Sequence, residues 1–180
     1  MSEQPKKTLT LCAMQYGVYL GLYFIVEFAL VIGAMYSTAA NFMSTALLVA
    51  TPAVIYLLMR HYVRQEGNSS RFVVLWLLGI YIFFLASLIS GLAQYIYFLY
   101  IDPDWIPAFV EQQLQVLEAM GAQSPEMADF ADTARAAIDN GASFEPIDVV
   151  FMMIWSNVFF GSLLSIVVAL FARMNNRKTN

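Results

Sequence analysis

FVVLWLLGIYIFFLASLISGLAQYIYFLYI, residues 72–101, is the stretch that decides the fold. It runs for 30 residues without an Asp, Glu, Lys, Arg or His. A helix rises ~1.5 Å per residue, so this length exceeds the ~30 Å hydrocarbon core of a bilayer. Lipid offers no partner for backbone N–H and C=O groups, so an isolated apolar run of this kind must be helical.

Working outward, three further apolar runs cover about 13–36, 43–59 and 148–172. Their spacing predicts four membrane-spanning helices, all within one membrane domain over 1–180. A polar excursion of about 102–146 lies between the third and fourth. The expected class is all-α, a polytopic integral membrane protein. Composition agrees: 60% hydrophobic residues, 12% charged residues and a mean hydropathy of +0.65 are too apolar for a water-soluble domain. The first run exceeds the apolar stretch of a cleavable secretory signal and reads as a retained anchor.

Charge placement predicts the topology. Eight of the nine Lys and Arg residues fall in three segments: Lys6 and Lys7, then Arg60, Arg64 and Arg71, then Arg173, Arg177 and Lys178. With four spans these segments share one side, and the positive-inside rule makes that side cytoplasmic. The 102–146 segment carries Arg135 against Asp102, Asp104, Glu111, Glu118, Glu126, Asp129, Asp132, Asp139 and Glu145, and is expected outside. Both termini are then cytoplasmic.

Local signals refine this picture. Ser37 to Asn41 is short and uncharged, so the first two helices should form an antiparallel hairpin. Pro52 removes a backbone donor inside the second helix, and Thr51 or a neighbouring helix should supply the freed carbonyl. Glu66 to Ser70 reads as a turn. Beyond an aromatic belt of Tyr95, Tyr97, Phe98, Tyr100 and Trp105, residues 104–120 read as an amphipathic helix capped by Gly121. Trp105, Phe109, Val116, Leu117 and Met120 share its apolar face. Ser124-Pro125-Glu126 starts a second helix, with Met127, Phe130, Ala134 and Ile138 on one side. The excursion is thus an extracytoplasmic helical hairpin whose apolar face (Trp105, Phe109, Leu117, Phe130) needs a membrane surface, the bundle or a partner.

The exit Tyr95-Ile96-Tyr97-Phe98-Leu99-Tyr100-Ile101-Asp102-Pro103-Asp104-Trp105 is followed by Glu111-Gln112-Gln113, Met120-Gly121 and a last span with Gly161-Ser162. Together with Tyr16-Gly17 and Gly21 in the first span, this pattern resembles the bacterial four-span membrane family catalogued as domain of unknown function 4199. The chain departs from that pattern at Ser70-Arg71-Phe72, where a glycine and an acidic residue are expected. The resemblance implies residence in a bacterial inner membrane and no known activity. Members of that family also tend to be encoded near membrane glycosyltransferases of the polyprenyl-phosphate type, which the resemblance offers as a hint about a partner.

Candidate chemistry is sparse. Glu27 is the one ionisable residue deep in the first span, where a carboxylate costs on the order of 2.5–3.5 kcal/mol unless paired, protonated or hydrated. Counting inward from each apolar run's outer end puts Thr51, Ser90, Gln94 and Asn157 near its depth, roughly 13 Å below the outer surface. This intramembrane polar layer reads either as a proton, ion or lipid-headgroup site, or as a structural hydrogen-bond layer, which is the plainer reading. Small residues at helical spacing (Gly17, Gly21, Ser87, Gly91, Gly161, Ser165) read as helix-packing positions, within the bundle or in a homodimer.

Asp102 and Asp104 with Glu111 offer too few ligands for a hard cation, and a turn with an N-cap explains them more simply. His61 stands alone, so it makes neither a metal site nor a nucleophile–base pair. Cys12 reads as a buried small apolar residue. The cytoplasmic basic cluster Arg60, Arg64, Arg71 and Arg173 suits anionic lipid. No catalytic set, cofactor, metal or nucleic-acid partner is expected. The favoured function is a non-catalytic accessory or scaffolding subunit, with membrane lipids and a membrane-protein partner or a second copy around it. A small transporter or proton-coupled channel using Glu27 is the alternative, and a lipid-binding or lipid-modifying enzyme a weaker one.

Overall fold

The computed structural model describes residues 9–65, 71–122, 124–140 and 145–176. The chain is all-α: α1 (Leu9–Ala34), α2 (Thr38–Gln65), α3 (Phe72–Ile96) continuing into a π-helical turn (Tyr97–Ile101), α4 (Trp105–Gly121), α5 (Pro125–Asp139) and α6 (Pro146–Asn176). Four helices are long and apolar enough to cross a membrane: α1, α2, α3 with its π turn, and α6. The helices outrun the apolar stretches that announce them. α2 begins at Thr38, five residues before the run at 43, because backbone bonding is already helical there, with the Asn41 N–H on the Ser37 carbonyl at 3.1 Å. Lys6, Lys7, the turn from Glu66 to Ser70, Gly141, Arg177 and Lys178 lie outside the described residues, as does the side chain of Arg173.

The chain forms two compact units. One contains the first three spans up to Gln94 and the last span from Met152, and the other is Tyr95–Phe151. In the first unit, Leu20, Ile55, Met59, Leu75, Leu78 and Ile82 form a fully buried core. Lipid is as apolar as these side chains, so cohesion must come from close packing. Glycine supplies it. A Cβ on Gly17 would lie 2.7 Å from Leu85 Cβ, and one on Gly21 would lie 3.0 Å from Ile89 Cβ, so α1 and α3 meet nearly backbone to backbone. Gly79 of α3 receives Ser165 of α6 and the Met59 terminal methyl of α2, and Gly161 of α6 receives the Phe83 ring.

α1 and α2 pack as an antiparallel pair across Met35 to Ser37, where the Ser37 N–H returns to the Gly33 carbonyl at 2.9 Å. Pro52 leaves the Leu48 carbonyl without its helical donor, and two side-chain hydroxyls gather on the carbonyl just before it. The Leu47 carbonyl accepts Thr51 Oγ1 at 3.2 Å and also the Tyr23 hydroxyl from α1.

In the second unit, Phe98 stacks on Trp105 (5.2 Å between centroids) and Trp105 on Phe109 (4.9 Å). Trp105, one of the residues that the helical period puts on the apolar face of α4, is buried in this stack. Leu114, absent from that assignment, is buried on α4. The Tyr97 hydroxyl donates to Asp102 Oδ2 at 3.3 Å, and the Asp102 N–H reaches back to the Tyr97 carbonyl in the π pattern. Asp104 occupies the N-cap of α4 without a side-chain cap bond.

α4 and α5 pack together. Gly121 is not the left-handed cap expected of it: Ala122 caps α4 with right-handed dihedrals. Its lack of a Cβ instead lets α5 approach, since a Cβ there would lie 2.9 Å from Ala128 Cα. Arg135 Nη1 binds both carboxylate oxygens of Glu111 at 3.0 Å, and its Nε lies 3.9 Å from Glu118. The hydrogen bond to Glu111, and then the Glu111 charge, push the Arg135 pKa above its ordinary value.

A Cβ at Gly161 must enter the Phe83 ring, whereas one at Gly33 meets only Ala40 Cβ at 3.3 Å. Gly161→Ala should therefore destabilise the bundle by about 1–3 kcal/mol, the usual cost of overpacking, and Gly33→Ala should change it little. Thermal unfolding in detergent checks the contrast.

Candidate functional site: polar levels within the bundle

Packing contacts fix how the helices of the first unit are aligned, and with them the depth of each polar side chain. α1 and α3 run parallel, Gly17 meeting Leu85 and Gly21 meeting Ile89. Carried on along both helices, this register puts Glu27 level with Gln94. α1 and α2 are antiparallel, tied by Tyr23 to the Leu47 carbonyl and by Gly33 to Ala40, and between those points Glu27 stands opposite Ser44. The Met59–Gly79 contact aligns α2 with α3 independently and again brings Ser44 to Gln94.

The same alignments carry Thr51 to Ser87. The Gly161–Phe83 and Ser165–Gly79 contacts carry Asn157 to Ser87 as well. The single layer expected from the sequence is therefore two levels. Glu27, Ser44 and Gln94 lie toward the α1–α2 turn. Thr51, Ser87 and Asn157 lie about 10 Å deeper, seven residues along α3 at ~1.5 Å each. Thr51 and Asn157 are thus not neighbours of Glu27. Counting from residue 43 misplaced Thr51, because α2 starts at Thr38. Ser90 stands between the levels with its hydroxyl on the Ser87 carbonyl at 3.3 Å.

The level near the turn has the chemistry of a small polar site. Glu27 falls between the α1 line that meets α3 (Gly17, Gly21) and the line that meets α2 (Tyr16, Tyr23), so it faces the space between those helices. Its side chain is half-buried and accepts no hydrogen bond among the described residues. Ser44 and Gln94 are buried. Ser44 Oγ donates to the Asn41 carbonyl at 2.9 Å, which leaves its lone pairs free to accept. A carboxylate, a carboxamide and a hydroxyl at one depth can hold a proton or a monovalent cation. The described residues contain no group of three His, Cys, Asp or Glu side chains suited to a metal ion.

The deeper level is closed. Thr51 and Ser87 are buried, Asn157 is half-buried, and Ser87 Oγ has no hydrogen-bond partner among the described residues. The packing positions face their own chain: Gly17, Gly21, Gly161 and Ser165 are filled or covered by neighbouring helices, and Ser87 and Gly91 are buried.

Outside the bundle core, Gln15 and Tyr19 form an exposed hydrogen-bonded pair (3.1 Å) on α1, and Leu11, Met14, Gln15 and Val18 line a shallow apolar groove beside it. Helical periodicity had not singled out this pair. Arg60 is half-buried, and Arg64 and Arg71 are exposed. His61 is exposed with its ring edge-on to Tyr16 at 6.1 Å, and Cys12 is buried. On the hairpin, Leu117 and Phe109 are half-buried and Phe130 is exposed.

The alignment of α1 and α2 is open to cross-linking. In a Cys12→Ser background, Glu27→Cys with Ser44→Cys should cross-link efficiently with a short bis-maleimide, and Glu27→Cys with Thr51→Cys should fall at least tenfold behind. Equal yields from the two pairs would show that the levels are misassigned.

Residues 15–174 match a family model described as Protein of unknown function (DUF4199). Neither the curated proteins nor the solved structures yield a significant match.

Proposed function

We propose that this chain, which belongs to the family described as Protein of unknown function (DUF4199), is a non-catalytic accessory or scaffolding subunit of a bacterial inner-membrane assembly. The observation that carries this reading is the Gln15–Tyr19 pair, exposed on a face of α1 otherwise made of Leu11, Met14, Val18 and Leu22. An amide is expensive to face with hydrocarbon and serves instead as a hydrogen-bonding contact to another membrane helix. The small residues of the bundle are engaged within the chain, so this polar spot in a grooved apolar face is the natural seat for a partner span. The resemblance noted in the sequence implies the partner's class, a polyprenyl-phosphate-type glycosyltransferase. Both termini and the basic residues Arg60, Arg64 and Arg71 then lie on the cytoplasmic side, against anionic lipid.

A stoichiometric partner should co-purify with the full chain from its native membrane in mild detergent. Interhelical hydrogen bonds in lipid contribute about 0.6–1.7 kcal/mol, so Gln15→Leu should lower recovery of that partner about three- to twentyfold. A chain that purifies alone, or a partner indifferent to Gln15→Leu, removes the reading.

The level of Glu27, Ser44 and Gln94 favours a second reading, a small proton- or cation-coupled transporter. Here Glu27 exchanges its ion toward the space between α2 and α3, while Gln94 and Ser44 orient it. Glu27→Gln should then reduce proton flux into liposomes at least tenfold while leaving the purified protein folded. Unchanged flux, or none in the parent protein, counts against it.

A further inference from the structure

The hairpin of α4 and α5 carries its apolar and acidic residues on opposite sides. Gly121 against Ala128 and Arg135 against Glu111 define which sides of the two helices face each other. Relative to that contact line, Phe109 and Met120 of α4 project to the same side of the hairpin as Met127, Phe130 and Ala134 of α5, and Val116 points away from the line. Val116, Met120 and Met127 are exposed, and Phe130 is 63% exposed. Asp129 and Asp132 project to the other side, Glu118 sits on the contact line beside Arg135, and Glu126 points away from it. Glu126, one turn before Phe130, stands at the outer border of the apolar side.

The chain also limits where this face can be. Three residues separate the end of the membrane-spanning stretch Phe72–Ile101 from Trp105 at the start of α4, a link of at most ~14 Å even when fully extended. The first turn of α4 is therefore held at the edge of the hydrocarbon.

We infer that the α4–α5 hairpin lies on the lipid surface of the membrane, with Met120, Met127 and Phe130 sunk to the level of the headgroup–acyl boundary and the carboxylates of Asp129 and Asp132 turned to water. The attachment is apolar rather than electrostatic. The hairpin's basic residue, Arg135, is engaged by Glu111 and Glu118, so nothing on this unit is built to attract anionic headgroups. In this it differs from the basic amphipathic helices that seek acidic lipid.

Site-directed spin labelling of the full chain tests the inference. Single cysteines replace Met120, Phe130, Asp129 and Asp132 in a Cys12→Ser background, and each variant is checked for a monodisperse elution profile before reconstitution. The vesicles are phosphatidylcholine alone or a mixture with phosphatidylglycerol. Labels at Met120 and Phe130 should be several-fold more accessible to oxygen than to a water-soluble nickel chelate, and labels at Asp129 and Asp132 the reverse. The pattern should be the same in both lipids and in ~1 M salt. Nickel access at Met120 and Phe130 equal to that at Asp132 would put the face in water. Loss of access to both reagents would mean that protein covers it. A pattern seen only with phosphatidylglycerol would make the attachment electrostatic. Each of these three results overturns the inference.

Discussion

Close approach of α3 to its neighbours is the constraint on which the bundle depends. Hydrocarbon gives helices no hydrophobic reason to associate, so the attraction available is dispersion between surfaces that fit. α3 presents Gly79 to α6 and α2, its Ile82, Leu85 and Ile89 to the glycines of α1, and Phe83 to Gly161. Where α3 is smallest, at Gly79, it takes in Ser165 and the Met59 methyl, and where α3 is large its partner is glycine. This fit sets the register of every span, and the register decides which polar residues share a depth. The chemistry available to Glu27 is therefore a consequence of glycines up to ten residues away along its own helix.

Much of the architecture was legible in the sequence because it follows from length and apolarity alone. The uncharged stretch from Phe72 to Ile101 could be nothing but a span, and Pro125 marked the start of α5 through its fixed φ and missing donor. The depth of Thr51 was not legible. Apolarity locates the hydrocarbon, but a helix begins where its hydrogen bonds begin, and α2 starts in the polar residues Thr38 to Asn41. Gly79 was hidden for a related reason. It stands at four-residue spacing with Phe83, Ser87 and Gly91, and the large Phe83 interrupts a search for small residues, although that ring is what fills Gly161. The role of Gly121 was misread because sequence alone cannot distinguish a glycine needed for its dihedrals from one needed for its missing Cβ.

The two units use opposite strategies. In the bundle, charge is nearly absent, and hydroxyls such as those of Thr51, Ser90 and Ser165 turn onto their own backbone. In the hairpin, an exposed ion pair and an aromatic stack of Phe98, Trp105 and Phe109 hold a structure with little interior of its own. That division follows the solvent: lipid penalises an unmatched polar atom, whereas water penalises an uncovered ring.

The phenol of Tyr23 on the Leu47 carbonyl bears on how the chain enters the membrane. A helix with a mid-span proline is a poor candidate for insertion by itself, since lipid cannot solvate what the proline ring leaves unbonded. Here the preceding span donates a hydroxyl to the same turn of α2, on the carbonyl next to the one that the proline orphans, and the turn between the two helices holds only Met35, Tyr36 and Ser37. α1 and α2 are therefore best regarded as one insertion unit, delivered to the bilayer as a preassembled pair. The tie from Tyr23 to the proline-bearing turn forms at the moment the second span arrives.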